Sequence, residues 1–591
     1  MGGLPPALLH AYSARAWAHP GTLRSKSDCD GGGKSSFRSW PGLVTLAKNP
    51  HRSPFPSPTP IVMTLASSVR VLLVGSVLVL GLACGGGADD PPREATPSSY
   101  DWHIRGGTVV DGTGAPARDA DVLIRGDTIA HVGPVDPDTV AAAHTFDASG
   151  LHVTPGFIDP HAHGDPVETP RFQNFLAMGV TTIVLGQDGG SPEAAAFADR
   201  LSAVQAARPA VNVGYLVGHN TLRRESGVGY DTPTAAERRA LSGLVEQGLD
   251  AGALGLSTGL EYDPGTQARM PELVALAAPV ADRDAVVMSH MRSEDAADIE
   301  ESVAELLEQG RRTGAHVHAA HLKIVLGDDT NQAAAVLDQM AAARRAGRAV
   351  TADVYPYTAS FTGISILFPG WARPPNDYET VRETRGDELR TYLTNRVQQR
   401  NGPDATLLGT GRWTGMTLAE VADSTDRSFA DVLMDLGPGG PSAAYFVMDE
   451  AVMKRFLAAE HTVVSSDGSP TMHHPRGHGA FARVLDRYVG PDALLSVEAA
   501  VHKMTGRTAS ILDLDEPARD RPPRGLVREG FAADLLAFDP GAVQDRATFT
   551  NPHRRARGMT RVWVNGTATW AADSMAVSEG AGTVLRARSA P

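Results

Sequence analysis

The middle of the chain repeats one pattern eight times: a short apolar run that ends in a polar residue, then a stretch of helical character. The polar ends are His163 in GFIDPHAH, Asp188 after GVTTIVLGQ, His219 after VNVGYLVG, Thr258 after ALGLS, His290 after AVVMS, His321 after AHVHAA, Asp353 after RAVTA and Asp467 after TVVSS. The first seven lie 25 to 39 residues apart, the length of one strand plus one helix. In DIEESVAELLEQG, Ile299, Val303, Leu306 and Leu307 fall at helical spacing and Gly310 reads as the stop. Eight such units predict an α/β fold of the (β/α)8 type, a TIM-like barrel. The eighth follows a long excursion, 354–461, expected to hold extra helices and loops over the mouth. A barrel gathers the C-terminal ends of its strands on one face, so these polar residues are expected to meet there.

Both ends of the ordered region have a different texture. DWHIRGGTVVDGTG, DADVLIRGDTIAHVG and HTFDASGLHVTPG alternate apolar runs with Gly and Asp turns, and REGFAADLLAFDP and RVWVNGTATWAA do the same near the C-terminus. This predicts a small β-sandwich built from residues 100–155 and 511–575, flanking a barrel at 156–510 with an insertion at about 358–460 and a tail at 576–591. The formal charge of −14 argues against a nucleic-acid partner, which needs a basic face. Two cysteines, Cys29 and Cys84, give no disulfide framework and no Cys-rich zinc module.

The N-terminal segment reads as a leader. Residues 1–62 are rich in Pro, Gly, Ser and Arg without periodicity. Arg70 then precedes the apolar run Val71–Ala83, of signal-peptide length and short for a membrane span, which closes on Leu82-Ala83-Cys84. This resembles a bacterial lipobox, with cleavage before Cys84 and lipidation of its thiol. Met63 is then expected to be the initiator, residues 1–62 an over-extended start, 63–84 the lipoprotein signal peptide and 85–99 a flexible linker. The expected location is outside the cytoplasm, on a membrane, periplasmic or at the cell surface.

The strand ends carry metal-binding chemistry. His161 and His163 sit at i and i+2, on one side of an extended chain, so both imidazoles can reach one ion. His290 and His321 add nitrogen donors, and Asp467 in SSDGSP adds a carboxylate. Nitrogen and oxygen donors of this kind suit Zn2+ or another divalent ion. A metal-activated water has its pKa lowered towards neutrality. Asp467 is a candidate to take its proton, with His219 or Tyr262 as a further hydrogen-bond donor beside the metal.

With these residues in view, the chain resembles the amidohydrolase superfamily and, within it, the D-aminoacylase (N-acyl-D-amino-acid deacylase) group. The segments that carry the resemblance are PGFIDPHAHGD, GVTTIVLGQDG, GHNTLR, GLSTGLEYDPG, SHMRSE, HLK, DVYPYTAS, SSDGSP and HPRGHGAFARVL, with GLVREGFAADLLAFDP and VWVNG in the C-terminal part, over roughly 100–575. The resemblance implies a metal-bearing barrel plus a β-sandwich and hydrolysis of the amide bond of N-acyl-D-amino acids. It implies that Lys323 and Tyr357 help to hold the amino-acid carboxylate, which Arg476 is suited to bind bidentately.

One position departs from the group, whose second strand ends in GNCG with the cysteine on zinc. Here the sequence is GQDG, and no cysteine follows Cys84. Other branches of the superfamily bridge two metals with a carboxylated lysine or a glutamate, which makes Asp188 the candidate bridge. The alternative is that Asp188 caps a turn and one metal binds. Two further readings stay open: a related amidohydrolase acting on D-residue or isoaspartyl dipeptides or cyclic imides, and a non-catalytic binding lipoprotein on the same scaffold.

Overall fold

A computed structural model of the chain describes residues 99–588, apart from 137, 139, 519–520, 572 and 578. The leader, Cys84 and the linker up to residue 98 lie outside the described residues. Among the described residues no helix is long and apolar enough to cross a membrane.

Eight parallel strands form the barrel: Phe157–Asp159, Val180–Leu185, Asn212–Tyr215 continued at Val217–Gly218, Gly255–Gly259, Val286–His290, His316–Ala319, Val350–Val354 and Thr462–Val464. Each pairs in parallel with the next, and the third meets the fourth through Leu256↔Val217 and the Leu254 N–H to Tyr215 carbonyl bond of 2.8 Å. The ring closes beyond the first and last strands, where His163 N–H donates to the Gly468 carbonyl (2.8 Å) and Asp467 N–H donates to the His161 carbonyl (2.9 Å). Closure therefore carries Asp467 to the His161–His163 segment. The second strand, VTTIVL, is buried throughout, as a barrel strand covered on both faces must be.

Helices cover the outside. In Ile299–Thr313 the buried residues include Ile299, Val303 and Leu306, as the periodicity predicts. The stop is not Gly310, which lies inside the helix against Val317; Gly314, at φ +79, ends it in the left-handed cap that suits glycine. The buried side of the helix needs a small residue at 310, and the chain reverses one turn later.

Strands from both ends join in one nine-stranded sheet in the order Met575, Thr567, Met559, Leu535, His152, Ser99, Arg118 and Thr128 by a residue of each strand, with Ala141–Asp147 also on Ser99–Val109. It folds over a common core: Trp563 packs edge-on against Trp102 and Phe146, and Ile104, Val122, Val153 and Leu535 fill the interior.

The excursion has its own core. Strands Ser360–Gly363, Thr406–Leu408 and Ser442–Tyr445 form an antiparallel sheet, and helices Tyr378–Gln399, Leu418–Thr425 and Phe429–Leu436 enclose Leu367, Leu389, Leu393 and Leu433 with it. The expected insertion end at 460 is corrected: Glu450–Ala458 buries Val452 and Phe456 in the barrel core and belongs to the barrel. Nor is 576–588 a free tail, because Leu585 is buried and its N–H donates to the Val213 carbonyl at 2.9 Å.

Candidate metal centre

Three loops at the strand ends use left-handed backbone. Asp188 (φ +55), His321 (φ +37) and Asp467 (φ +47) are all non-glycine residues at positive φ. Each such residue costs on the order of 1–3 kcal/mol, and strain of this kind gathers at functional sites. At the first, Gly186 (φ +81) and Gly189 (φ +77) flank the aspartate. A Cβ on Gly186 would lie 2.2 Å from the Leu216 carbonyl oxygen, so the GQDGG sequence is what lets this strand turn sharply and present Asp188 to the barrel mouth.

The side chains converge. Asp188 Oδ1 lies 3.2 Å from His321 Nε2, 3.4 Å from His161 Nε2 and 3.7 Å from His290 Nδ1, and Oδ2 lies 3.6 Å from His163 Nε2. Asp467 Oδ1 is 3.0 Å from His163 Nε2 and 3.7 Å from His161 Nε2. Among the described residues three donor groups result, His161–His163–Asp188–Asp467, Asp188–His290–His321 and Glu261–His290–Glu294, each within 4.8 Å, and the first two share only Asp188. Donors around one zinc-sized ion stand about 3.3 Å apart, given bonds of roughly 2.0–2.1 Å in tetrahedral array. The observed spacings bracket that value.

His161 tests whether a cation fits. It is fully buried, and neither ring nitrogen makes a hydrogen bond. Buried polar atoms without a partner are rare and costly, and a cation at Nε2 resolves one of the two. Electrostatics agree. Burial works against the His161 imidazolium, but the charge and contact of Asp188, with Asp353 and Asp467, together outweigh it and hold the pKa well above the ordinary value. Burial likewise opposes the His290 imidazolium, yet Glu294, Asp188 and Glu261 push it up to about 10. Asp467 stays below the usual carboxylate range despite burial, through the Arg476 charge and the His163 contact. Carboxylates here outnumber their fixed cationic partners, and the cluster is a well for positive charge.

A second layer fixes the ligands. Asp353 lies beneath the cluster, accepting from His318 Nε2 at 2.9 Å and from the His321 N–H at 3.0 Å, and 3.8 Å from His161 Nδ1. Glu261 Oε2 lies 3.0 Å from His290 Nε2.

A cavity of about 390 Å³ opens on the donors and is lined also by Glu261, Tyr262, Glu294, Lys323, Tyr355 and Arg476. Tyr262 lines the cavity, its ring centroid 4.3 Å from that of His290. Arg476 Nη1 meets Asp467 Oδ2 at 2.9 Å. Two expectations are corrected. His219 is not in the cavity: it is fully buried, with Nε2 2.8 Å from Glu272 Oε1, in a cluster with Arg223. Its strand bends at Leu216, and His219 begins the helix His219–Glu225 instead of ending a strand. Tyr357 turns away, its hydroxyl donating to Asp545 at 2.8 Å; Tyr355 lines the cavity in its place. Glu261 and Glu294 stood inside the quoted motifs without a role, and spacing alone did not mark them.

The comparisons bear on this geometry. The amidohydrolase family profile matches residues 430–569. An N-acyl-D-glutamate deacylase of Alcaligenes xylosoxydans xylosoxydans is 37% identical over 498 residues, covering 80% of this chain and 93% of the relative. The chain belongs to the D-aminoacylase group of the amidohydrolases. Among solved structures, the N-acyl-D-glutamate deacylase of Bordetella bronchiseptica, complexed with zinc and a phosphonate mimic of the tetrahedral intermediate, matches at 34% identity and a TM-score of 0.71, covering 83% of this chain and all of that one. A D-aminoacylase studied for its binuclear metal centre matches at 34% and 0.71, covering 82% and all of it. The metal-dependent barrel with a β-sandwich is the fold of this D-aminoacylase-group member.

Proposed function

We propose that the protein is a divalent-metal hydrolase of N-acyl-D-amino acids, releasing a carboxylate and a D-amino acid. The observation that carries this is the meeting of His161, His163, Asp188, His290, His321 and Asp467 in one cluster, all but the fully buried His161 lining the cavity, in a chain of the D-aminoacylase group. These six residues would hold one or two ions of the zinc class. When bound, such a cation supplies Lewis-acid activation of water and of the amide carbonyl.

The chain's own groups do the rest. Asp467, held by the His161 carbonyl through its own N–H, accepts the proton of the attacking water and returns it to the amide nitrogen as the C–N bond breaks. Burial, with the charges of Asp188 and Glu261, holds the Tyr262 phenol well above its ordinary pKa, so it stays protonated and donates to the oxyanion. Arg476 reaches the cavity beside Asp467 and receives the amino-acid carboxylate. Lys323 also lines the cavity, with Nζ 2.5 Å from Glu294 Oε1, 2.9 Å from His321 Nδ1 and 3.0 Å from the His321 carbonyl oxygen, and so steadies the ligand set from the cavity wall.

The test is a metal-supplemented assay of matched N-acetyl-D- and N-acetyl-L-amino acids. Turnover confined to the D series is expected; L-selective or absent turnover refutes the reading.

We also propose export as a membrane-anchored lipoprotein acylated on Cys84, supported by the order of Arg70, the Val71–Ala83 run and Leu82-Ala83-Cys84. Mass spectrometry of the mature N-terminus in a bacterial host should find a lipidated Cys84, and an unmodified N-terminus elsewhere counts against it.

A further inference from the structure

Three cations line the cavity: Lys323, Arg400 and Arg476. Lys323 and Arg476 each face a carboxylate of the centre, Glu294 at 2.5 Å and Asp467 at 2.9 Å. Arg400 does not. Its side chain is 3% exposed, and Nη1 reaches only Asp295 Oδ1, at 3.3 Å. That carboxylate already binds Arg396 Nη1 at 2.9 Å. Nε is buried without a partner, and Nη2 bonds to no described residue. The face of Tyr445, 5.3 Å away, attracts the cation but accepts no bond in its plane.

Two guanidinium groups thus share one carboxylate, and one of them leaves most of its five donors unused beside the cavity. Burying unused donors is costly, and a planar fork of this kind matches a carboxylate in two parallel bonds. A purely structural reading exists: Arg400 caps the helix Tyr378–Gln399 at its C-terminal end, where a cation is favoured, and Asp295 ties it to the barrel. That accounts for the charge but leaves Nε and Nη2 without acceptors.

We propose that Arg400 reads a second carboxylate on the substrate. Resting on the deacylase reading above, this makes the preferred substrate a dicarboxylate, with the extra acid on the amino-acid side chain or on the acyl group. The apolar side chains Val325, Phe361, Ile366 and Met472, on the same cavity, suit the methylenes that separate the two acids.

Matched pairs test this on the full, metal-loaded protein: N-acetyl-D-glutamate against N-acetyl-D-glutamine, and N-succinyl-D-leucine against N-acetyl-D-leucine. One pair should favour the dicarboxylate by about 10- to 100-fold in kcat/KM, the range for a hydrogen bond to a charged group, and that pair locates the extra acid. Arg400→Gln should bring the ratio to about one, with Arg400→Lys between. Equal rates within both wild-type pairs, a preference that survives Arg400→Gln, or a uniform fall on all four substrates overturns the proposal. Calorimetric binding of free D-glutamate and D-glutamine to the wild type needs neither turnover nor a folded variant. Tighter D-glutamate binding supports the side-chain arm even if no acyl compound is hydrolysed, a result that would sink the deacylase reading alone; equal binding removes that arm.

Discussion

Glu294 Oε1 stands 3.0 Å from His321 Nδ1, on the opposite edge of the ring from the Nε2 that faces Asp188 at 3.2 Å. For Nε2 to serve as a metal donor the ring hydrogen must sit on Nδ1; of the two groups beside that nitrogen, the Lys323 ammonium at 2.9 Å and the Glu294 carboxylate at 3.0 Å, only the carboxylate can accept it. Lys323, 2.5 Å from the same oxygen, holds that carboxylate ionised against its burial. Glu294→Ala should therefore weaken metal affinity by about 10- to 100-fold, the usual cost of removing such an orienting partner. Chelator competition measures it, and unchanged affinity would remove Glu294 from this role.

Among the described residues Asp188 alone joins the His161–His163–Asp467 group to the His290–His321 pair. Asp188→Ala should lower the metal content of the purified protein, by about one ion per chain if two are bound, and Asp188→Asn, which keeps shape but not charge, should restore little of it. Elemental analysis decides. Full metal occupancy in Asp188→Ala would reduce Asp188 to a turn residue, as its positive φ alone would allow.

The His219 cluster makes the opposite prediction. Glu272 takes both Arg223 Nη1 bonds at 2.6 Å while fully buried, away from the donors. Removing one partner of such a pair leaves an uncompensated charge, at about 3–5 kcal/mol. Glu272→Gln should lower thermal stability strongly while the folded fraction keeps its metal content. Loss of metal without loss of stability would return His219 to the centre.

The eight-fold repeat and the six donors were legible because both rest on sequence-local chemistry: apolar runs of strand length, and a polar residue where each run stops. His161, His163, His290, His321, Asp188 and Asp467 all meet as that reading expects. The failures share a cause. Tyr355 and Tyr357 sit two residues apart with Pro356 between them, and only the fold decides that one lines the cavity and the other reaches Asp545, 188 residues on. His219 follows a strand-like run like the converging donors, but a bend at Leu216 turns it towards Glu272. Arg400 carries no local signal, because its meaning lies in Asp295 being shared with Arg396.

Buried histidines away from the donors make stability fall with acid, His316 and His478 among them. Burial pushes His316 down to about 4, helped by the charge of His318, and it pushes His478 down to about 4, helped by His553 and Arg555. His478 Nδ1 is buried without a hydrogen bond, which suits a neutral ring. Both folded pKa values lie below the unfolded value of about 6.5, so between about pH 4 and 6.5 the unfolded chain binds more protons. Stability from these rings is then complete above pH 6.5 and is lost as pH falls towards 4, at up to about 1.4 kcal/mol per pH unit for each. Melting of the metal-loaded protein across this window should show the loss. His478→Gln removes one of the protons taken up in this window, so the slope in the variant should be shallower by up to about one proton. An unaltered slope would mean that the His478 ring titrates at its ordinary pKa in the folded protein.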